Sequence, residues 1–198
     1  MGEPERRVED PNAADPGDSQ LLERLKTNPE AAIGEVVARF ERPLLRYARA
    51  LLGHGSATAA QDVVQEAFVR LLRKTPSVRA LSAWLGRVTH NLAVDHLRRE
   101  TRMKRLHAIV SAEAEVAIPP NRDPTPRELD VALERELARL STNERAVIVL
   151  KVIEGKSYKE ISAQTGLSTS NVGYLIHHGL KKLAAGLAAA GALRGGRS

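Results

Sequence analysis

The chain has 198 residues, only 3% of them aromatic, and its apolar content is mainly Leu, Ala and Val, which favours helices packed on helices over a sheet-built core. It has no cysteine, which excludes disulfides and thiolate metal sites, and no apolar run reaches the length of a membrane span. The formal charge of +6 hides an asymmetry: residues 19–105 carry 16 Lys and Arg against 8 Asp and Glu, while residues 1–18 carry 2 against 6. A cation-rich first half points to a polyanionic partner, most simply nucleic acid.

Residues 1–18 hold Pro4, Pro11, Pro16, Gly17 and many acids, too little apolar surface to offset ordering entropy, so they read as a disordered acidic tail. The N-terminus also lacks the apolar core of a signal peptide, and a cytoplasmic protein is expected. A short helix is predicted from Asp18 or Ser19, with Leu21, Leu22 and Leu25 on its apolar side. Asn28 caps a longer helix that has Pro29 in its first turn and runs to about Leu52. Pro43 falls inside this pattern and is expected to kink or split it.

After Gly53 and Gly55 a third helix buries Ala60, Val63, Val64, Ala67, Phe68 and Leu71, and leaves Asp62, Gln65, Glu66, Arg70 and Arg73 outside. The loop that follows contains Pro76, with Ser77 and Ser82 as two candidate caps. A helix of roughly 25 residues comes next. Leu81, Leu85, Val88, Leu92 and His96 form its apolar side. A second stripe of Trp84, Arg87, Asn91, Asp95, Arg98 and Arg102 mixes an aromatic, an amide and guanidinium groups, the chemistry that stacks on unpaired bases while holding phosphates.

Helical pattern fails over residues 106–126, which are rich in proline and acids and read as a linker between two domains. It resumes near Pro126 with Leu129, Leu133, Leu137 and Leu140. Ser141 and Glu144 form a capping box for a helix of Ala146, Val147, Val149, Leu150 and Ile153 that stops at Gly155. Ser157 and Glu160 form another box, Gly166 supplies a left-handed turn, and Ser168 caps a helix with Val172, Leu175, Ile176, Gly179 and Leu183 on one face. This is a helix-turn-helix pattern. Its opposite face, Ser170, Asn171, Tyr174, His177, His178 and Lys181, can read base edges and phosphates in a major groove; the plain alternative is a solvated helical hairpin. Residues 186–198 read as a flexible tail.

No constellation supports catalysis, a cofactor or a metal. His90, Asp95 and His96 lack the spacing of helical zinc sites, and the adjacent His177 and His178 diverge by about 100°. No phosphate-binding glycine loop is present.

The segments DVVQEAFVRLL, SAWLGRVTHNLAVDHLRR and LARLSTNERAVIVLKVIEGKSYKEISAQTGLSTSNV resemble, in order, the two domains of a sigma-70 family RNA polymerase sigma factor of the extracytoplasmic-function (ECF) type. The resemblance covers residues 19–105 and 127–185. It implies an all-α fold of two small helical domains, region 2-like and region 4-like, joined by a flexible linker. It also implies a factor that binds core RNA polymerase at the β′ clamp and β flap, recognises −35 and −10 promoter elements, and melts the latter. Asp62, Gln65, Glu66 and Arg70 would then contact polymerase, a face that pattern alone assigns to solvent. Lys74, Ser77 and Arg79, in the loop, would hold a flipped −10 base; Trp84, Arg87, Asn91, Arg98 and Arg99 would hold the melted strand and adjoining duplex. Core packing claims Trp84 equally, and Asp95 can simply pair with Arg98 or Arg99. Ser168, Ser170, Asn171, Tyr174, His177, His178 and Lys181 would meet the −35 element, where Gly173, Tyr174 and Leu175 replace the family's usual basic pair. The linker acids Glu113, Glu115 and Asp123 would occupy phosphate sites of the polymerase, and an anti-sigma factor is admitted as a further partner. The alternative is a conventional helix-turn-helix regulator that works without polymerase.

Overall fold

The computed structural model describes residues 16–53, 55–76, 78, 80–107 and 125–192, without the side chains of residue 16 and residues 104–107. Every element among them is helical: α1 (Pro16–Thr27), α2 (Pro29–Leu52), α3 (Ala57–Arg73), α4 (Leu81–His107), α5 (Pro126–Arg139), α6 (Thr142–Ile148), a π turn (Val149–Ile153), α7 (Tyr158–Thr165) and α8 (Thr169–Ala189). The all-α fold expected from composition is what forms.

Side-chain caps set most helix starts. The Asn28 side chain accepts from the Ala31 N–H at 3.2 Å, with Pro29 in the first turn of α2. Capping boxes open α6 at Ser141–Glu144 and α7 at Ser157–Glu160, and a third opens α5 at Thr125–Glu128, each satisfying two otherwise unpaired donors. Pro43 neither splits nor ends α2, which runs unbroken to Leu52. The proline ring is exposed, so the carbonyl it leaves unpaired can be hydrated, and buried Phe40, Leu44 and Tyr47 pack on both sides of it.

One continuous core joins the two halves. Leu25, Val36, Leu51, Val64, Leu71 and Leu85 of α1–α4 belong to the same cluster as Val147, Leu150, Ile161, Val172 and Ile176 of α6–α8. Helix α4 therefore buries a face that the sequence pattern does not show: besides Leu81, Leu85 and Leu92, it buries Gly86, Thr89, His90, Ala93 and Val94. Gly86 lies under buried Gln164 of α7, and a Cβ added there would stand 3.1 Å from the Gln164 side chain. His90 meets α2, its Nδ1 2.7 Å from the Tyr47 hydroxyl.

Two charged groups cross the same seam. Arg145 of α6, 9% exposed, donates to the carbonyls of Leu51 at 3.0 Å and Leu137 at 2.8 Å. Its cation thus sits on the C-terminal carbonyls of α2, the negative end of that helix dipole. Burial lowers its pKa, but a guanidinium stays charged in any physiological range. Arg46 of α2 makes a two-pronged pair with Glu154, at 2.6 and 2.9 Å, and the hydrogen bond to Glu154 raises the Arg46 pKa.

Several boundaries and faces differ from the sequence expectation. Helix α1, expected to start at Asp18 or Ser19, begins at Pro16 within the stretch assigned to the tail, and Asp18 is 1% exposed. The segment taken as linker gives up residues 106–107 to α4, while Thr125 and Pro126 cap and open α5; residues 108–124, with Glu113, Glu115 and Asp123, lie outside the described residues. On α5 it is Ala132 and Glu136 that are buried, while Leu129 and Leu133 are 37% and 38% exposed. The reason is its partner: α8 presents Gly186 there, and a Cβ at that position would collide with the Glu136 carboxylate, which Arg139 neutralises at 2.6 Å. Ile153, expected in the core, is 50% exposed, because the π turn inserts a residue and rotates it outward. Finally, α8 continues to Ala189, into the expected tail, since alanines extend a helix at little cost.

Candidate nucleic-acid interface

The α7–turn–α8 unit is tied residue by residue. Gly166 takes φ +78° and its N–H reaches the Ser162 carbonyl at 2.9 Å, a left-handed C-cap that a side chain would strain. The Ser162 hydroxyl donates to the Leu167 carbonyl at 2.6 Å, and the Ser168 hydroxyl accepts from the Asn171 N–H at 3.2 Å. Ser168 is therefore an N-cap first; that lone pair is committed to the helix. Glu160 holds a pKa below its ordinary value: burial opposes ionisation, but hydrogen bonds from the Ser157 side chain and backbone outweigh it. Across the unit, α8 sits so close to α6 that a Cβ on Gly179 would stand 2.7 Å from Ile148 Cδ1.

With Val172, Ile176 and Gly179 buried, the opposite face of α8 is open. Ser170, Asn171, Tyr174, His177 and Lys181 are exposed, as the periodicity requires. His178 differs. It is half-buried beneath Tyr174, the two ring centroids 4.0 Å apart, so the pair presents Tyr174 outermost, 59% exposed. The structure also accounts for Gly173. Its missing side chain makes room for Tyr158 of α7, whose ring carbon would lie 3.3 Å from a Cβ there, and Leu175 packs against the core. Of the Gly173–Leu175 segment, only Tyr174 faces outward.

Tyr158 and Lys151 extend this surface and were not picked out from the sequence. Tyr158 is 43% exposed, and the Lys151 ammonium stands 5.5 Å from its ring centroid. The available signal was that the Ser157 box places Tyr158 in the first turn of α7.

On α4, Arg87, Asn91, Arg98 and Arg99 are exposed, and so is Lys74 at the end of α3. Ser77 and Arg79 lie outside the described residues. Trp84 is half-buried and packs on the core, so packing engages much of its ring. Asp95 meets Arg98 at 3.7 Å, and its carbonyl accepts from Arg99 at 3.3 Å. Arg87 reaches the helix-turn-helix corner, its guanidinium 3.7 Å from where a Gly166 Cβ would be. The structure thus brings one member of the α4 stripe against the unit that carries α8.

Asp62, Gln65 and Arg70 are exposed on α3 and Glu66 is half-buried, with Arg70 bonded to Glu66 at 2.8 Å. Arg70 also borders a cavity of about 470 Å³ between α3 and α4, together with Leu92, Asp95, Arg98, Arg99 and Arg102. The face expected to meet protein and the stripe expected to meet nucleic acid therefore adjoin at one basic concavity. Among the described residues no group of three or more His, Asp or Glu could hold a metal ion, and no helix is long and apolar enough to cross a membrane.

Residues 36–103 match the family described as "Sigma-70 region 2", and residues 130–183 match "Sigma-70, region 4". The ECF RNA polymerase sigma factor SigL of Mycobacterium tuberculosis is 32% identical over 149 residues, 71% of this chain and 80% of that protein. The chain belongs to the sigma-70 family, among its ECF sigma factors. The ECF RNA polymerase sigma factor SigE of Mycolicibacterium smegmatis is 34% identical over 137 residues, 65% of this chain and 52% of that protein, so the chain spans about half the length of this relative. A solved structure of CnrH in complex with the cytosolic domain of CnrY has a similar fold, with a TM-score of 0.62 at 28% identity over 87% of this chain and 97% of that one. The sigma-70 region 2 match covers most of α2, all of α3 and most of α4; the region 4 match covers most of α5, all of α6 and α7, and most of α8.

Proposed function

We propose that this ECF sigma factor binds core RNA polymerase and directs it to promoters, acting by binding alone and without a reaction of its own. It would work in the cytoplasm, where polymerase is. The observation that carries this reading is that one chain presents two separate polar and cationic helix faces, the α4 stripe and the outer face of α8, in segments matched in order to sigma-70 regions 2 and 4. In this reading Asp62, Gln65, Glu66 and Arg70 dock on the polymerase β′ clamp. The loop of Lys74, Ser77 and Arg79, with Arg87, Asn91, Arg98 and Arg99, captures the melted −10 strand; Trp84 contributes its free edge. The outer face of α8, from Ser170 to Lys181, enters the major groove of the −35 element, with region 4 against the β flap. Strand separation draws on contacts that the closed duplex does not offer.

Arg87 lies against the corner at Gly166 and Gly86 under Gln164, so α4 and α7 meet at a seam that would have to open for the two faces to move apart. A protein partner would hold that seam shut. CnrH, of similar fold, is seen in complex with a polypeptide, the cytosolic domain of CnrY, and an anti-sigma factor is the kind of protein partner proposed for this chain. A conventional regulator using α8 alone would leave the α4 stripe without a role.

The test adds the purified chain to core polymerase with a randomised library of duplex promoters. New start sites sharing two spaced elements are expected. Sequence-selective duplex binding by the chain alone, with no start site gained, would overturn the reading.

A further inference from the structure

Helix α4 has no cap of its own. Residue 80, whose carbonyl accepts the first helical hydrogen bond from Trp84 at 3.2 Å, is an alanine, and Ser82 lies inside the helix and is not its cap. The first-turn donor is satisfied from elsewhere in the chain. Asp18 of α1, 1% exposed, places Oδ2 2.9 Å from the Ser82 N–H, and its Oδ1 faces the Arg39 guanidinium of α2 at 3.3 Å. Oδ1 receives no hydrogen bond, so Arg39 holds it by charge alone. One buried carboxylate therefore ties α1, α2 and the positive end of α4 at a single point, where a negative charge is also favoured by the helix dipole. That point is the exit of the 74–80 loop: Ala80 and Leu81 are buried immediately beside it, while Lys74 and Arg87 stand exposed on either side.

We infer that Asp18 is a positioning residue for capture of the melted strand: it caps α4 in trans and fixes where the strand-binding loop ends and the strand-binding helix begins. Asp18 touches no DNA. Its effect is on the register between Lys74, the loop and Arg87, and on no contact made by the polymerase-facing side of α3 or by α8. The inference rests on the role proposed above for α4.

The test uses full-length chain in complex with core polymerase and a promoter selected from the randomised library. The probes are that duplex and its fluorescently labelled single non-template strand. Asp18→Ala is expected to weaken strand capture at least ten-fold while core polymerase affinity and −35 duplex affinity change less than two-fold. Asp18→Asn, which keeps an acceptor for the Ser82 N–H, is expected to recover capture to within about three-fold of the parent chain, and Arg39→Ala to do likewise. Unchanged capture in Asp18→Ala overturns the inference, as does a parallel loss of core, −35 and strand binding, which would make Asp18 a residue of general stability. If Asp18→Ala does not fold, the Asn and Arg39 variants decide: a ten-fold loss in Asp18→Asn equal to that in Arg39→Ala assigns the effect to charge and refutes the cap. If the parent complex captures no strand, it is the role of α4 that fails.

Discussion

Acidification should loosen this fold through His90. The imidazole is 4% exposed, shares a hydrogen with Tyr47 across 2.7 Å, and lies near the Arg87 charge. Burial, then Arg87, lowers its pKa from 6.5 to about 4, while burial raises that of Tyr47 and keeps its hydroxyl protonated. An unfolded chain takes up the proton below its ordinary value and the folded chain does not until about pH 4. The stabilisation is therefore complete above pH 6.5 and is lost as pH falls towards 4; at ~1.4 kcal/mol per pH unit it amounts to about 3 kcal/mol, of which about 2 kcal/mol has gone by pH 5. Glu144 and Glu160 also have lowered pKa values, but from an ordinary 4.5, so their contributions are lost mainly below that value, under the pH 5 of the measurement. Urea unfolding at pH 7.5 and pH 5 measures the loss, with His90→Gln as the control that cannot titrate. The parent chain should lose about 2 kcal/mol between the two and the variant almost none. A loss under ~0.5 kcal/mol in the parent, or equal slopes in both proteins, refutes the assignment.

Three further outcomes follow from the geometry. Glu154→Ala removes the two-pronged pair with Arg46, but the Arg46 side chain is 57% exposed, so the cost should be within ~1 kcal/mol and should shrink in high salt; a loss independent of salt in urea titrations would contradict a solvent-screened pair. Tyr174→Ala should weaken binding to a selected −35 duplex by ~1–3 kcal/mol with no change in the thermal midpoint, since the ring is the outermost group on α8; an intact affinity in fluorescence anisotropy would remove it from the reading face. Gly173→Ala should be neutral or mildly destabilising in the parent chain yet stabilising by up to ~1 kcal/mol in a Tyr158→Ala background, where the 3.3 Å contact is gone and helix propensity alone acts; additive effects in a thermal double-mutant cycle would show that Tyr158 does not govern this position.

Helix ends and the helix-turn-helix were legible because they depend on short-range chemistry. A Ser or Thr three residues before a Glu, a glycine at a left-handed C-cap, or an Asn before a Pro states its own geometry, and the Ser141, Ser157, Ser168, Gly166 and Asn28 termini form as those pairs require. What periodicity missed was set by partners distant in sequence. Gly86, His90 and Ala93 read as a mixture of small and polar residues, and only the docking of α4 on α2 and α7 makes them a buried face. The leucines of α5 gave a convincing stripe, but the approach at Gly186 leaves room for a paired carboxylate and turns Ala132 and Glu136 inward. Asp18 was read only as the border between an acidic tail and the first helix, since its partners Ser82 and Arg39 lie far along the chain.

The same distinction bears on how the recognition helix should be read. A glycine where the family's usual pattern has a cation suggests a change of DNA target when α8 is considered alone. In the folded chain, Gly173 answers to Tyr158, and Leu175 answers to the core. Neither side chain is available to choose a base. In the proposed reading, the groups left on α8 to choose bases are Ser170, Asn171, Tyr174 over His178, His177 and Lys181. Tyr158 with Lys151 at its ring forms the adjoining edge of that surface, since the space left by Gly173 is what brings α7 so close. The departure from the family pattern is therefore a matter of packing, in which Tyr158 of α7 fills the space that Gly173 leaves beside α8, and in the proposed reading Tyr158 and Tyr174 would meet DNA together.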